Sequence, residues 1–339
     1  MKPILKNLVE MTGHRDHIRL EVSVLSTIEK LTGILAVRSI EVFTQNNVPH
    51  IRPRTWRGPE DWVSTDEEAA KDPRREPLGN YPELEACVMG HHPVAKSSGT
   101  VNGKKRYTLW LPVWMNDKVT TCLEVSQIRR FSAHRLDVVT GIFSVYQNYQ
   151  SLLDYSERDA LTDLYNRKTF DEQFARHAST RTEEFDIATT ELQQWLAVVD
   201  IDHFKQVNDR FGHLYGDEVL ILMANTLRSS FRAHDRIFRF GGEEFVVLLR
   251  STNLAKAHQI FNRFRKTVEN QHFPQVGRVT VSVGFVSTAA GSSVEILGQA
   301  DQALYFAKEN GRNQVRYYGD LVAQGLLQTK VHHDDVELF

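Results

Sequence analysis

The sequence places glycine and acidic residues together at one short turn. Residues 239–245 read Arg-Phe-Gly-Gly-Glu-Glu-Phe, with apolar β-type segments on both sides. Two hydrophobic strands joined by a Gly-Gly pair predict a β-hairpin. Gly241 and Gly242 have no Cβ, so a ligand can approach the backbone closely there. Glu243 and Glu244 then lie at a solvent-accessible hairpin tip, either as binding groups or as a solvated acidic turn.

A further carboxylate ends an apolar segment at residues 196–200. An aspartate at the carboxyl end of a buried strand lies at the ligand-binding edge of an α/β sheet. Mg²⁺ prefers hard oxygen ligands, often one or two carboxylates together with phosphate oxygens. Asp200 and Glu243 are therefore candidate ligands of Mg²⁺. The alternative for Asp200 is a capping residue at a helix start.

Four other polar side chains have the chemistry of nucleotide recognition. Asn208 and Asp217 offer an amide and a carboxylate, and a carboxylate can accept hydrogen bonds from the donor edge of guanine, which adenine lacks. Their alternatives are a turn asparagine and the N-cap of a helix over residues 217–232. Lys308 and Arg312 lie four residues apart, so they can share a helix face and bind a triphosphate. Their alternative is a favourable interaction with the helix dipole.

The elements that must position these residues alternate between helix and strand over residues 157–319, which predicts a mixed α/β (α+β) domain with helices layered on a sheet. The segments, in chain order, are helix 168–178, strand 196–200, helix 217–232, the Gly-Gly hairpin, helix 254–270, strand 279–285, helix 294–309 and strand 314–318. A polar stretch at 179–194 and a tail at 320–339 are predicted to lie outside this pattern.

The first 130 residues have a different organisation. The pattern predicts helix over 1–31, a strand over 35–43, an irregular region over 46–106 and then a hairpin. The two hairpin strands are 107–113 and 119–125, separated by Asn116-Asp117. This order is similar to that of a GAF domain, an intracellular sensor module, and a PAS-like sensor is the alternative.

Residues 131–156 connect these two regions and predict one long helix. Six of its residues follow the spacing of a heptad a/d seam, namely Val138, Ile142, Val145, Tyr149, Leu152 and Ser156. A single apolar stripe of this length favours a dimeric coiled-coil linker. The alternative is a helix packed on its own domain.

The motifs of the C-terminal region, taken in order, resemble the GGDEF domain of diguanylate cyclases. The match runs over Asp159-x-Leu-Thr-x-Leu-x-Asn-Arg167, Asp200-x-Asp-x-Phe-Lys-x-x-Asn-Asp209, Phe211-Gly-His213, Gly216-Asp217, Gly241-Gly-Glu-Glu-Phe245 and Asp301-x-Ala-Leu-Tyr-x-Ala-Lys-x-x-Gly-Arg-Asn313. The resemblance implies a palm-like βαββαβ core. It also implies the condensation of two GTP molecules into cyclic di-GMP, with loss of two pyrophosphates.

The resemblance further implies a role for each matching residue. Asp200, the backbone oxygen of Ile201 and Glu243 would hold Mg²⁺ or Mn²⁺, as two ions per active site. Glu243, Glu244 and Lys205 would serve catalysis, with Glu244 assisting deprotonation or orienting its neighbours. The GTP-binding residues would be Asn208, Asp217, Lys205, Gly241, Gly242, Lys308 and Arg312, the first two reading guanine and the three cations holding the β- and γ-phosphates.

The resemblance also implies regulation. Arg232 and Asp235 form an Arg-x-x-Asp pattern five residues before Gly241, the spacing of the family's inhibitory site for cyclic di-GMP. The alternative is a surface ion pair. Because two GTP sites must face each other, a homodimer is expected, joined through the linker helix and the catalytic domains. An unknown small molecule or protein would signal through the N-terminal domain.

Composition limits the remaining classes. The 339 residues carry a formal net charge of −2, which does not favour a nucleic-acid-coating protein. The two cysteines fit a reducing compartment, and no apolar run is long enough to span a membrane. We therefore expect a cytoplasmic protein without membrane or nucleic-acid partners. A catalytically silent nucleotide receptor and a different nucleotidyl cyclase are the competing functions.

Overall fold

The computed structural model describes residues 2–64, 74–115, 118–179, 192–232, 235–289 and 291–327. The chain divides into two compact units, residues 1–156 and 157–339. The predicted linker, 131–156, thus falls within the first unit. The predicted polar stretch 179–194 and the tail 320–339 lie largely outside the described residues.

The first unit is built around an antiparallel sheet. Its elements are α1 (Lys2–Met11), α2 (His17–Glu29), β1 (Ile34–Gln45), β2 (Val48–Arg57), β3 (Trp62–Ser64), β4 (Glu76–Pro77), α3 (Pro82–Gly90), β5 (Val94–Val101), β6 (Lys104–Met115), β7 (Lys118–Gln127) and α4 (Ala133–Glu157). The strand order is β3-β2-β1-β7-β6-β5, and β4 pairs with β2. The predicted hairpin of residues 107–125 corresponds to β6 and β7, which pair directly.

The prediction of an irregular region over 46–106 is wrong. This region contains β2 to β6 and helix α3. Proline residues obscure β2 in the sequence, since proline cannot donate to a β-ladder. In the structure Pro53 lies at a bulge, where the pairing with β1 shifts between Ser39 and Ile40. At a bulge the regular pairing is already interrupted, so a residue without a backbone N–H is tolerated there. The strand therefore continues past Pro53.

The prediction of a single N-terminal helix over 1–31 is also wrong in detail. The segment forms two helices, because the chain turns at residues 12–16 and Asp16 caps the second one. The Asp16 side chain accepts a hydrogen bond from the backbone N–H of Arg19 at 2.8 Å. The N-cap supplies one of the acceptors that the first turn of a helix lacks. Each helix contributes apolar residues to one core with the sheet.

Helix α4 packs on the core of its own unit. Val139, Phe143 and Tyr146 are buried there, and they lie beside the heptad positions rather than on them. Of the predicted seam, Ile142 is buried, whereas Leu152 is 61% exposed. The alternative interpretation, a helix packed on its own domain, therefore describes this face of α4. The coiled coil stays a prediction that concerns the exposed C-terminal part.

The second unit contains a mixed sheet with helices on both faces. Its elements are β8 (Tyr165–Asn166), α5 (Phe170–Ser179), β9 (Gln193–Ile201), α6 (Phe204–Phe211), α7 (His213–Ser230), β10 (Arg236–Gly241), β11 (Glu244–Thr252), α8 (Leu254–Asn270), β12 (Val281–Ser287), α9 (Ser293–Glu309), β13 (Val315–Tyr317) and α10 (Tyr318–Ala323). The strand order is β13-β12-β9-β11-β10-β8. From β9 to β12 the elements follow the predicted β-α-β-β-α-β order.

Strand β9 is central in this sheet and buried on both faces. It pairs antiparallel with β11 on one side and with β12 on the other. Alternate residues enter different cores: Val199 packs with α7 and α8, whereas Val198 packs with α5 and α9. A strand covered on both faces reads as a continuous apolar run, which explains why residues 196–199 contain no polar residue. The core thus fixes the position of Asp200 at the strand end.

The folded second domain extends beyond its predicted end at residue 319. Residues Tyr318–Ala323 form α10, and Leu321 is 2% exposed within the core formed with α9. The prediction that the tail begins outside the core at 320 is therefore wrong for these residues. The segment is short and lacks a repeated apolar pattern, so its sequence alone does not indicate a helix. Of the helices that the structure describes, none has the length and apolar character needed to cross a membrane.

A close contact between β12 and α9 generates a stability prediction. A Cβ built on Gly284 would lie 2.2 Å from the Ala300 carbonyl oxygen and 2.2 Å from the Leu304 nitrogen. Both atoms belong to helix backbone and cannot move independently. We expect Gly284→Ala to lower the free energy of unfolding by about 2–4 kcal/mol through overpacking, measured by urea denaturation.

The matched control is Gly298→Ala on α9, the helix against which Gly284 packs. Gly298 is exposed, and no atom lies within 4 Å of its built Cβ. Alanine has a higher helix propensity than glycine, so this variant should be more stable by roughly 0.5–1 kcal/mol. Equal stability of both variants would contradict the close packing of β12 on α9.

Candidate active site

The acidic residues of the Gly-Gly hairpin lie beside the end of β9. In the β9–β11 ladder Asp200 is directly opposite Glu244. Glu243 precedes Glu244 in the turn that closes the β10–β11 hairpin, where Gly241 pairs with Glu244. Asp200 is 4% exposed, whereas Glu243 is half-buried. The sheet therefore assembles the carboxylates that the sequence separates by more than forty positions.

The hairpin turn has the backbone conformation that glycine favours. Gly242 has a φ of +47°, in the left-handed region that residues with a Cβ adopt less readily. A glycine with positive φ at the first central position is typical of tight hairpin turns. Gly241 and Gly242 have no other atom within 4 Å of a built Cβ, so open space surrounds the turn. The requirement for glycine is thus conformational at Gly242.

An arginine braces this turn, and the sequence analysis missed it. The Arg239 guanidinium donates from Nε and Nη2 to the Gly242 carbonyl at 3.2 and 3.0 Å. It also donates from Nη1 to Asp159 Oδ1 at 2.9 Å. Burial alone would raise the pKa of Asp159, but hydrogen bonds from Thr162 and Arg239 outweigh it and lower that pKa. The signal available in the sequence was Asp159 in the first motif, whose partner only the fold reveals.

The charges around Asp200 disfavour its ionisation. Burial raises the pKa of Asp200 to about 6, with added repulsion from Glu243 and Glu244. Lys308 opposes this effect, since its Nζ lies 2.8 Å from Asp200 Oδ2. Burial likewise raises the pKa of Glu244, and the nearby carboxylate of Asp301 adds to it. The site is an acidic cluster that one ammonium group neutralises only in part.

Asp301 is a further acidic residue beside this cluster, and its residue type and spacing did not predict it as a site residue. It lies on α9, seven residues before Lys308, and its carboxylate acts on Glu244. Burial raises its pKa, and the Lys308 charge lowers it less strongly. The sequence contained Asp301 at the start of its last motif, but no spacing rule relates α9 to the hairpin.

Lys308 and Arg312 do not share one helix face, contrary to the prediction. Helix α9 ends at Glu309, and Arg312 lies beyond it with a φ of +58°. The Arg312 N–H donates to the Ala307 carbonyl at 3.0 Å, which closes the helix end. Lys308 contacts Asp200, whereas Arg312 belongs to the turn that follows the helix.

Asn208 and Asp217 lie on two successive helices that pack together. Asn208 is half-buried on α6, and its Oδ1 lies 2.0 Å from where a Cβ at Gly216 would be. Only glycine leaves room for this amide beside α7. Asp217 is exposed, as is Lys205 on the first turn of α6. The fold thus brings the Asn208 amide to the turn of α7 that carries Asp217.

Two expectations about this region are wrong. Helix α7 begins at His213 rather than at 217, and Gly212 with a φ of +88° is its N-cap. Asp217 is therefore not a capping residue. Asn208 lies within helix α6 and not in a turn. The helix bounds therefore exclude the turn role for Asn208 and the N-cap role for Asp217.

The Arg-x-x-Asp pair has an unexpected geometry. Asp235 is 8% exposed, and its two carboxylate oxygens accept from the backbone N–H groups of Arg232 and Arg250 at 2.9 and 3.2 Å. The Arg232 side chain is exposed. The alternative of a surface ion pair does not describe this arrangement. Asp235 stabilises the backbone before β10, and Arg232 provides the accessible charge.

The donor set fits a divalent cation. Asp200 and Glu243 supply two carboxylates, and an ammonium already lies against Asp200 at 2.8 Å. A site that repels its own negative charges gains stability when a cation binds. In the described ranges no group of three or more His, Cys, Asp or Glu side chains is placed to hold a metal. Backbone, water or substrate oxygens would therefore complete the coordination.

Comparisons with known proteins find matches to the part of the chain that carries this site. Residues 156–314 match the family model described as diguanylate cyclase, GGDEF domain. Diguanylate cyclase DgcP of Pseudomonas aeruginosa is 40% identical over 161 residues, covering 46% of this chain and 23% of that protein. Diguanylate cyclase VdcA of Vibrio cholerae is 36% identical over 164 residues, covering 46% of this chain and 45% of that protein.

A solved structure is also similar. It is the coiled coil and GGDEF domain of DgcB from Caulobacter crescentus in complex with c-di-GMP. The sequence identity is 27% and the TM-score is 0.48, and the match covers 55% of this chain and 97% of that chain. The match lies over residues 156–314, and the family model and both curated relatives carry the description diguanylate cyclase. The matched region spans less than half the length of either curated relative.

The pKa of Asp200 generates a prediction about pH. Its native pKa of about 6 exceeds the value near 3.9 of an unfolded aspartate. The native state therefore binds this proton more tightly, and stability falls as pH rises from about 4 to about 6. Asp200→Asn removes this loss. Without metal, the variant should exceed the wild type by about 2 kcal/mol at pH 7 and match it near pH 4.

Urea denaturation in the presence of a chelator, at several pH values, measures this difference. The control is Asp209→Asn, since Asp209 is exposed on the neighbouring helix α6. As a surface substitution, it should change the free energy of unfolding by no more than about 0.5 kcal/mol. A difference for Asp200→Asn that is constant from pH 4 to pH 7 would contradict a raised pKa.

Proposed function

We propose that this protein is a diguanylate cyclase, which condenses two GTP molecules into cyclic di-GMP and two pyrophosphates. The main support is the acidic cluster of Asp200, Glu243 and Glu244 at the end of a fully buried strand, with Lys308 against it. The names of the curated relatives support the same reaction. The proposal extends the enzyme class of the GGDEF domain to the activity of the whole chain.

In the proposed reaction each ribose 3′-hydroxyl attacks the α-phosphorus of the opposite GTP. A new P–O bond forms, the bond between the α-phosphorus and the bridging oxygen breaks, and pyrophosphate leaves. Asp200, the Ile201 carbonyl and Glu243 would hold Mg²⁺ or Mn²⁺. Bound metal would neutralise triphosphate charge and lower the pKa of the attacking hydroxyl. The hydroxyl proton would pass to Glu244 or to solvent, and burial raises the pKa of Glu244, which makes it a stronger base than an ordinary glutamate.

The cationic and polar residues would orient the substrate. Lys308 would exchange its contact with Asp200 for the triphosphate once a metal takes its place. Arg312 and the exposed Lys205 would bind the β- and γ-phosphates. The Asp217 carboxylate would accept hydrogen bonds from the donor edge of guanine, and the Asn208 amide would add a further hydrogen bond to the base. Positioning and electrostatic stabilisation would then supply most of the catalysis.

The reaction requires two active sites that face each other, so we propose a homodimer. The exposed part of α4, including Leu152 at 61% and Tyr155 at 74% exposure, offers apolar surface for a partner helix. The first unit would act as a GAF-like or PAS-like sensor for a signal received in the cytoplasm. Binding there would shift the population of competent dimers. The packing of α4 on the first unit's core supports this coupling.

Turnover of GTP with Mg²⁺ tests the proposal, with the product identified by its mass. We expect cyclic di-GMP from the wild type and a loss of roughly 100-fold or more in Glu243→Ala, because one cation-binding carboxylate is removed. The control is Glu309→Ala, an exposed glutamate in the same domain, which should retain activity. ATP in place of GTP should give no cyclic dinucleotide.

Two outcomes would contradict the proposed activity. Binding of GTP without any product in a folded dimer, at all protein concentrations tested, would favour a silent receptor. Equal turnover of ATP and GTP would favour a different nucleotidyl cyclase and would remove the proposed guanine reading by Asn208 and Asp217.

Product inhibition generates a separate prediction for the exposed arginine of the Arg-x-x-Asp pair. Arg232→Ala should raise the cyclic di-GMP concentration that halves the activity by roughly 10-fold or more, since a guanidinium contact to phosphate or guanine is lost. Initial rates at low product should stay unchanged. Asp235→Ala is the poorer variant, because Asp235 holds two backbone N–H groups. Unaltered inhibition in Arg232→Ala would contradict the inhibitory site.

A further inference from the structure

The turn after α9 has an unusual backbone. Gly311, Arg312 and Asn313 have φ values of +107°, +58° and +45°. Residues other than glycine seldom adopt a positive φ. Two such residues in succession, Arg312 and Asn313, require support from the surrounding structure. Such conformations occur where the neighbours of a residue determine its backbone, and they concentrate at functional sites. The support for this turn is visible in the structure.

A buried carboxylate holds the turn through its main chain. Asp202 is 5% exposed, and its Oδ2 accepts from the Asn313 backbone N–H at 3.0 Å. The same oxygen accepts from the Thr280 hydroxyl at 2.7 Å, and Oδ1 accepts from the Ser282 hydroxyl at 2.7 Å. Two hydroxyl groups beside β12 thus orient the carboxylate toward Asn313. Hydrogen bonds to a carboxylate are stronger than those between neutral groups.

Helix α8 holds the same turn through a side chain. Arg265 Nη1 donates to Asn313 Oδ1 at 2.6 Å, and Asn313 Nδ2 donates to Glu269 Oε1 at 2.8 Å. Arg265 and Glu269 also contact each other at 2.8 Å. The turn is therefore fixed from β9 by Asp202 and from α8 by this pair. The backbone of Arg312 has little freedom between these two attachments.

The side chain of Arg312 is left available by this arrangement. Among the described residues its guanidinium makes no hydrogen bond or ion pair, although it is half-buried. By contrast, Lys308 already lies against Asp200. An arginine that is fixed at its backbone and open at its guanidinium is suited to a phosphate ligand, since less freedom is lost on binding.

We propose that Asp202 is a positioning residue that fixes Arg312 for binding the substrate phosphates. The proposal rests on the proposed function, which makes Arg312 a phosphate-binding residue. The two aspartates of the Asp-x-Asp pair then have separate tasks. Asp200 belongs to the acidic cluster, whereas both oxygens of Asp202 are occupied by protein donors. Asp202 acts through the turn and does not touch the ligand.

Equilibrium binding tests this role. The probe is a GTP analogue with a methylene bridge between the α- and β-phosphates, in the presence of Mg²⁺, titrated by calorimetry. We expect Asp202→Asn to weaken binding roughly 10-fold and Arg312→Ala at least as much. If Asp202 acts through Arg312, the double variant should bind within about 2-fold of Arg312→Ala alone. The control, Asp209→Asn, should bind like the wild type.

Hydrogen exchange provides a readout that does not depend on nucleotide. Asp202→Asn should accelerate exchange of the Asn313 amide roughly 10-fold or more, because its acceptor loses its charge. Arg312→Ala should leave that exchange unchanged. If Asp202→Asn does not fold, Thr280→Val is the second variant, since it removes one of the hydroxyl groups that orient the carboxylate. It should show the same effects at smaller size.

Three results would overturn the proposal. They are unchanged affinity in folded Asp202→Asn, effects of the two substitutions that multiply in the double variant, and an altered Mg²⁺ requirement in Asp202→Asn with normal Asn313 exchange. The last would place Asp202 in the cation site. A wild type that binds no analogue would instead contradict the proposed function, and hydrogen exchange would still report whether Asp202 holds the turn.

Discussion

The second unit depends on one carboxylate that is held in an unfavourable place. Asp200 lies at the end of a strand whose residues are buried on both faces, and burial raises its pKa to about 6. Two glutamates of the neighbouring hairpin add repulsion, and the Lys308 ammonium offsets it in part. The sheet provides the stability that keeps these like charges together. The charge imbalance in turn creates the demand for a cation.

Charged side chains around this acidic cluster hold the backbone of two neighbouring turns. Arg239 holds the hairpin through the Gly242 carbonyl, and Asp202 holds the turn after α9 through the Asn313 N–H. In both cases a buried or half-buried charged group pairs with a main-chain atom next to a proposed ligand-binding residue. This arrangement leaves the outer side chains free to bind while their attachment points stay fixed.

The first unit shows how α4 is attached to its sheet. Glu21 on α2 is 1% exposed and accepts from the Ser39 hydroxyl of β1, and it also contacts Arg54 Nε at 3.0 Å. Tyr146 of α4 donates to the same carboxylate at 3.5 Å, and burial raises the pKa of Tyr146 above its ordinary value. Buried polar groups that satisfy one another specify a single arrangement. Helix α4 is therefore an integral part of the first unit rather than a free spacer.

The sequence by itself determined the elements with strong local signals. Helix 254–270 was predicted with the bounds that α8 has, because its apolar spacing and the capping Asn253 are local. The Gly-Gly hairpin and the strand ending at Asp200 were predicted for the same reason. The first unit was predicted less well, since the prolines of β2 hide a strand that pairs with the preceding strand β1 through a bulge. Helix α10 has no signal of its own and forms because Leu321 enters the core.

For the site, too, the sequence predicted some features and only the structure revealed the others. Residue types and their order along the chain predicted Asp200, Glu243 and Lys308 as site residues. Only the tertiary structure decided that Lys308 pairs with Asp200, that Arg312 leaves the helix in a left-handed conformation, and that Asp202 holds it there. Local propensity follows from a few neighbouring residues, which a sequence displays. Contacts between β9, β12 and α8 bring together residues that are far apart in the chain, and only packing determines them.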